Sequence, residues 1–207
     1  IVSACLRSTG GRHGIGLGTQ SVLWSDARVF ASNSEAGGNA LMFALTQRAL
    51  NLARGMTFTT PVALTDALWP QVWEYGKKVT ANPDLRATFA LNALVAVDNA
   101  AWVLFARENG FTDFDQLIPD AYRPALACRH AKCASIPLFS YKVPPAEIKA
   151  AVDAGSFFMK IKIGQPGTQE EMLERDKARV AEIHAVLKDC RTPYTKSGKL
   201  PYYFDAN

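Results

Sequence analysis

A short apolar stretch with two lysines, residues 157–164 (FFMKIKIG), constrains the fold of this chain more than any other segment. Alternation with a period of two predicts a strand that places Lys160 and Lys162 on one face and apolar side chains on the other. Same-face positions lie about 6.6 Å apart along a strand, so the two ammonium groups share one small region. On a buried strand they need an acidic partner, whereas a solvated edge strand would carry them without one.

The segments around this strand alternate between strand and helix. Residues 144–153 are predicted to form a helix that prolines open and Gly155 ends. Thr168 and Glu171 have the spacing of a capping box, which predicts a long helix reaching about residue 190. Residues 200–204 are predicted to form another strand. This βαβ pattern predicts a parallel sheet covered on both faces, with functional side chains at the carboxyl ends of its strands.

The strand predicted at residues 200–204 is followed by acidic and amide side chains at its carboxyl end. Period-two alternation places Asp205 and Asn207 on the same face. Because parallel strands end at the same edge of a sheet, we expect both residues beside Lys160 and Lys162.

The order of these motifs resembles the mandelate racemase and muconate lactonizing enzyme branch of the enolase superfamily. Residues 159–164 (MKIKIG) resemble the Lys-x-Lys second strand of its barrel, and residues 204–207 (FDAN) resemble the Asp-x-Asn third strand. Residues 90–110 resemble the helix that precedes the barrel, and residues 136–141 would form the first barrel strand. The resemblance covers about residues 87–207.

The resemblance implies an α+β capping domain over residues 1–130, followed over residues 131–207 by strands one to three of a (β/α)8 TIM-type barrel. Such barrels typically take about 250 residues. We therefore expect this sequence to be the N-terminal part of a longer enzyme and to be inactive by itself. The remaining metal ligands and any partner base would come from later strands.

The resemblance also implies a lyase or isomerase that removes the α-proton of a carboxylate substrate through an enediolate, as racemases, epimerases and acid-sugar dehydratases do. Cycloisomerisation, which shares this first step, is also left open. This chemistry needs a base and stabilisation of the added negative charge. The implied roles are base for Lys162, substrate carboxylate binding for Lys160, Mg²⁺ ligation for Asp205 and support of the site for Asn207. Arg12 and His13 are expected substrate contacts, because an N-terminal loop in this family closes over the barrel mouth. Tyr141 is a further expected substrate contact.

The first 130 residues are predicted to form a β-hairpin or meander, over residues 1 to about 30, followed by helices. Predicted strand residues are Val22, Trp24, Val29 and Phe30, and the glycines at positions 10, 11, 14, 16 and 18 are predicted to be flexible turn residues. Helices are predicted over residues 39–54, 60–75 and 85–109. Asp98, on the last of these, is expected to make a packing contact and not to be catalytic.

Composition and charge argue against several classes of protein. A content of 48% hydrophobic and 20% charged residues indicates a sizeable core and argues against disorder. The basic residues behind the net charge of +4 are scattered, which argues against nucleic-acid binding. No run of 18 apolar residues occurs, so no membrane span is expected. A cytoplasmic location is the default expectation. The resemblance, not the composition, implies a homo-oligomer that binds a small carboxylate, with sugar acids among the candidates.

The four cysteines are expected to be reduced thiols. Cys128, His130 and Cys133 have a spacing compatible with zinc, for which His184 could supply a fourth ligand. We favour an ordinary connector with incidental thiols.

Two other functions stay open. A barrel enzyme of another class could form a Schiff base through Lys160 or Lys162, although Asp205 favours proton abstraction. A non-catalytic homologue or fragment acting through protein contacts is the third possibility.

Overall fold

The computed structural model describes residues 1–206, which are mixed α/β and divide into two compact units, one of Ile1–Ala127 and one that runs from Cys128 to the end of the described range. The boundary expected from the sequence lay between residues 130 and 131. The capping domain and the partial barrel stay predictions.

The N-terminal unit begins with an antiparallel hairpin and continues with helices. Strands β1 (Val2–Arg7) and β2 (His13–Gly18) pair from Val2 opposite Gly18 to Arg7 opposite His13. The helices that follow are α1 (Val22–Ser25), α2 (Ala27–Ala53), α3 (Pro61–Val79), α4 (Ala87–Asn109) and α5 (Phe114–Leu117), with a 3-10 turn at Asp120–Tyr122. Helix α2 is kinked at Ser34, whose φ of 62° lies outside the helical region.

Local capping chemistry accounts for several of these helix ends. The hydroxyl of Thr60 accepts a hydrogen bond from the Ala63 amide at 3.2 Å, and Pro61 occupies the first helical position of α3. Gly110 ends α4 with a φ of 69°, a left-handed conformation that glycine adopts without strain. These helix ends lie close to those predicted from the sequence.

The prediction of strand over residues 22–30 is wrong, because this segment is helical in α1 and at the start of α2. Asp26 separates the two helices and is buried. Its Oδ1 accepts hydrogen bonds from the Arg28 and Val29 amides, at 3.0 and 3.1 Å. Its Oδ2 accepts another from the Arg86 amide at 3.0 Å. This cap outweighs the strand preference of the valine and aromatic residues around it.

The prediction of turn glycines at positions 14, 16 and 18 is also wrong, because these residues form the face of β2 that packs on α4. A Cβ at Gly16 would lie 2.2 Å from the Ala100 nitrogen and 2.2 Å from the Ala96 oxygen. Two strand residues advance about 6.6 Å and four helical residues about 6.0 Å. Glycines at every second position of β2 therefore lie opposite alanines at every fourth position of α4, such as Ala96 and Ala100.

Helix α4 is the central helix of the N-terminal unit. Within residues 1–206 it is long and apolar enough to cross a membrane by length and composition, and half of that apolar stretch is buried in the unit. Core packing against β2, α2 and α3 is sufficient to explain this composition. Asp98 accepts a hydrogen bond from the Thr65 hydroxyl at 2.9 Å, which is a packing contact between α4 and α3.

The C-terminal unit contains a small parallel sheet with helices between its strands. The strands are β3 (Leu138–Phe139), β4 (Met159–Lys162) and β5 (Tyr202–Asp205), and the helices are α6 (Pro145–Asp153) and α7 (Gln169–Leu187). The strand order is β3-β4-β5, and both neighbouring pairs are parallel. Thr168 and Glu171 form the predicted capping box at the start of α7.

The two faces of this sheet have different environments. Met159 and Ile161 are fully buried against apolar residues of α6 and α7, including Ile148 and Ile183. The opposite face carries the lysines. The expectation of helices on both faces is thus not met by the described residues, because α6 and α7 both contribute to the core on the Met159 side.

We expect Gly16→Ala to destabilise the N-terminal unit by about 1–3 kcal/mol, because an added methyl group overlaps the α4 backbone. Urea unfolding followed by tryptophan fluorescence measures this, since all four tryptophans of this sequence lie within residues 24–102. Gly10→Ala is the matched control, because its Cβ would meet nothing closer than 3.7 Å; its effect should stay within about 0.5 kcal/mol. Equal effects of the two substitutions would contradict the packing argument.

Candidate functional site

Two lysines and one aspartate meet at the carboxyl end of the parallel sheet. The register of β4 and β5 places Lys162 opposite Asp205 and Lys160 opposite Tyr203. The ammonium nitrogens of Lys160 and Lys162 lie 2.8 and 2.9 Å from the same oxygen, Oδ2 of Asp205. We call these three residues the lysine–aspartate cluster.

The cluster is partly shielded from solvent. The side chains of Lys162 and Asp205 are 14% and 19% exposed, whereas that of Lys160 is 33% exposed. The Lys160 ammonium also lies 5.6 Å from the ring centroid of Tyr203, within the range of a cation–π interaction. The more buried lysine lies closer to the strand end, where β4 leads into the turn before α7.

The electrostatic environment of Lys160 favours its charged form. The hydrogen bond to Asp205 raises the pKa of Lys160 above its ordinary value, and partial burial opposes this only in part. Lys160 is therefore an ammonium group over the whole physiological pH range. Two lysines and one aspartate leave one positive charge in excess, which suits the cluster to bind an anion.

Tyr141, a predicted substrate contact, lies beside this cluster in the loop after β3. Its hydroxyl is 3.0 Å from the carbonyl oxygen of Ile163 and 3.2 Å from that of Gly164. The Ile163 amide donates in turn to the Asp205 carbonyl at 2.9 Å. Tyr141 therefore contacts the backbone immediately after β4, and its role as a substrate contact stays a prediction.

Arg12 and His13, the other predicted substrate contacts, belong to the N-terminal unit. The Arg12 guanidinium donates hydrogen bonds to the carbonyl oxygens of Arg107 and Glu108, at the end of α4. The Arg107 guanidinium donates to the His13 carbonyl at 2.6 Å. These contacts fasten the hairpin turn to α4, and the substrate role of both residues stays a prediction. Asn207, the predicted supporting residue, lies outside the described residues.

The described part of the cluster does not by itself fit a magnesium ion. Mg²⁺ requires about six oxygen ligands in octahedral geometry. Asp205 offers one carboxylate, whose Oδ2 already binds two ammonium groups. Within residues 1–206 no group of three His, Cys, Asp or Glu side chains is arranged to hold a metal. The predicted Mg²⁺ would need carboxylates from outside this range.

The Cys128, His130 and Cys133 motif is exposed in the segment before β3. The proposed fourth ligand, His184, instead has its Nδ1 3.0 Å from the hydroxyl of Tyr202. No metal function is proposed for this motif.

Sequence reasoning missed two residues near the cluster, Asp176 and Arg179 on α7. Both make hydrogen bonds to the loops at the carboxyl ends of β3 and β4. The available signal was their position: both lie on the sheet-facing side of a helix whose other charged residues are mostly exposed.

We expect Asp205→Asn to lower the pKa of Lys160 toward its ordinary value, because the charged hydrogen-bond acceptor is lost. A ¹³C NMR titration of reductively methylated lysines, with Lys160 assigned through Lys160→Arg, measures the change. Since the folded-state pKa is raised, the ion pair contributes stability below the unfolded lysine pKa and loses it as pH rises through the folded value. Stability above pH 10 should therefore fall more steeply in the wild type than in Asp205→Asn.

Asp153→Asn is the matched control for this titration. Asp153 pairs with Lys149 and raises the pKa of that lysine in the same way. The control should lower the pKa of Lys149 and leave that of Lys160 unchanged. A Lys160 pKa that does not respond to Asp205→Asn would contradict the described ion pair.

Comparison of the chain with models of known protein families, with curated proteins and with solved structures found no match.

Proposed function

We propose that this chain supplies part of the active site of an enzyme that removes the α-proton of a carboxylate substrate. The observation that carries the proposal is the lysine–aspartate cluster at the carboxyl ends of two adjacent parallel strands. This edge is where parallel α/β folds build their sites. The resemblance of the Lys-x-Lys and Asp-x-Asn motifs to the enolase superfamily supports the same reaction class.

The charge of the cluster suits this reaction. Removing a proton next to a carboxylate leaves an enediolate that carries a second negative charge, and fixed cations stabilise it. Lys160 is held as an ammonium group by Asp205 and is partly exposed, so it is placed to bind the substrate carboxylate. A charge-assisted hydrogen bond of this kind is worth about 1.5–3 kcal/mol.

Lys162 is the proposed base. Its side chain is the more buried of the two and lies nearer the strand end, on the face of the sheet opposite the α6 and α7 core. A base must accept a proton as a neutral amine, so Lys162 has to leave its ion pair with Asp205 and release its ammonium proton to solvent before it takes the substrate proton. The substrate-loaded site must therefore draw the Asp205 carboxylate away from Lys162.

The wider features of the proposed enzyme follow from the resemblance alone. They comprise a capping domain, a (β/α)8 barrel, Mg²⁺ as cofactor and a homo-oligomeric state. A cytoplasmic location is proposed as the default. Sugar acids are the proposed substrate class within small carboxylates, and racemisation, epimerisation and dehydration share the same first step. Magnesium would stabilise the enediolate when bound, with Asp205 as one ligand and further carboxylates from residues beyond those described.

We expect Lys162→Met to lower α-proton exchange by about 10²- to 10⁴-fold, the usual contribution of a positioned general base. Exchange is measured by NMR in D₂O with the full-length protein, Mg²⁺ and a panel of 2-hydroxy and sugar acids. Lys177→Met is the matched control, because this lysine is exposed on α7 and pairs with Glu174. Absence of exchange by the wild type with every acid, or full exchange by Lys162→Met, would contradict the proposal.

We expect borohydride to trap no covalent adduct on Lys160 or Lys162 in the presence of carbonyl substrates. A Schiff base begins with attack by a neutral amine, and the Asp205 hydrogen bond favours the charged form of Lys160. Peptide mass spectrometry after reduction detects an adduct at either position. A stoichiometric adduct would favour the Schiff-base enzyme over proton abstraction.

A further inference from the structure

Helix α7 contributes two charged side chains, one turn apart, to the loops beside the lysine–aspartate cluster. Oδ2 of Asp176 accepts a hydrogen bond from the Gly164 amide at 2.6 Å. Nη2 of Arg179 lies 2.8 Å from the Ser140 carbonyl oxygen and 3.0 Å from that of Val143. Asp176 therefore holds the loop after β4, and Arg179 holds the loop after β3. We call Asp176 and Arg179 the α7 polar pair.

These two loops are also joined to each other and to β5. The Tyr141 hydroxyl from the first loop reaches the carbonyl oxygens of Ile163 and Gly164 in the second. The Ile163 amide donates to the Asp205 carbonyl. The two residues directly after Lys162 are therefore held by three groups: the Tyr141 hydroxyl, the Asp176 carboxylate and the Asp205 carbonyl.

Gly164 is the residue on which these contacts converge. Its φ of 91° is one that side chains rarely allow, so the chain turns sharply directly after Ile163. An added Cβ would lie 3.3 Å from the Ala206 oxygen and 3.9 Å from the Tyr141 hydroxyl. The turn that ends β4 is therefore built against both neighbouring strands.

Burial of the α7 polar pair costs free energy that a pair of apolar residues would not. Arg179 is 8% exposed. Within residues 1–206, the buried Nε of Arg179 and Oδ1 of Asp176 have no hydrogen-bond partner. Burying incompletely satisfied charged groups costs free energy, and apolar residues of similar size commonly pack at least as stably. Precise placement of the loops explains the pair better than stability does.

We propose that Asp176 and Arg179 are positioning residues that hold the loops after β4 and β3 and so place Lys162 for abstraction of the substrate proton. The inference rests on the proposed function. Asp176 fixes the turn two residues after Lys162, and Arg179 fixes the loop that carries Tyr141. Misplacement of a reacting group by about 1 Å costs up to about 10²-fold in rate, so the pair acts on catalysis without touching the substrate.

The kinetic test compares Asp176→Ala and Arg179→Met with the wild type in the full-length protein. Each substitution should lower kcat for α-proton exchange by about 10-fold to 10²-fold, with a smaller change in KM, because Lys160 still binds the carboxylate. Asp176→Asn keeps an oxygen acceptor for the Gly164 amide and should restore part of kcat. Glu174→Ala, on the exposed side of the same helix, is the matched control and should change neither constant.

A second measurement decides the positioning claim without any activity. In ¹³C-methylated protein, the Lys162 resonance, assigned through Lys162→Arg, should shift in Asp176→Ala and Arg179→Met and not in Glu174→Ala. Thermal unfolding confirms that each variant is folded. An unshifted resonance in folded variants would overturn the inference, even if the wild type exchanges α-protons. If the two variants shift the Lys162 resonance but the wild type exchanges no α-proton, the positioning of Lys162 is supported and only the proposed function is overturned.

Discussion

The C-terminal unit depends on one counter-charge shared by two like charges on one strand face. Lys160 and Lys162 are consecutive same-face residues of β4, and without a counter-charge their repulsion and partial desolvation would disfavour this strand. The parallel register with β5 places one Asp205 oxygen within 2.9 Å of both ammonium groups. A register shift of one residue would turn this carboxylate to the opposite face, next to the core. The ion pairs and the strand pairing therefore require each other.

The sheet separates the part of the unit that provides stability from the part that provides charge. Met159 and Ile161 are fully buried in an apolar core that they form with residues of α6 and α7. The alternating residues carry the charged groups on the other face. A (β/α) barrel arranges each strand in the same way, with helices outside and alternating side chains inside. This resemblance of arrangement supports the barrel proposal, which needs strands beyond those described.

Local signals in the sequence were sufficient where backbone chemistry decides the structure. The Thr60-Pro61 start of α3, the Thr168 capping box and the Gly110 helix end each depend on residues within one turn. The period-two pattern of β4 and β5 likewise placed the three charged side chains on one face. Parallel pairing of the strands then followed from the helices between them, because a helical crossover returns the chain to the same end of the sheet.

The errors came from contacts between segments that are distant in sequence. Gly16 looks like a turn residue by itself, and only the small residues of α4 four apart, some 80 positions later, reveal the packed face. Asp26 caps α2 locally, yet its burial depends on the Arg86 amide 60 residues away. The α7 polar pair has the same character, since Arg179 binds carbonyl groups nearly 40 residues earlier. Charged residues inside an amphipathic helix are therefore the sequence signal most worth testing against neighbouring loops, because burial gives them a cost that only a specific partner can offset.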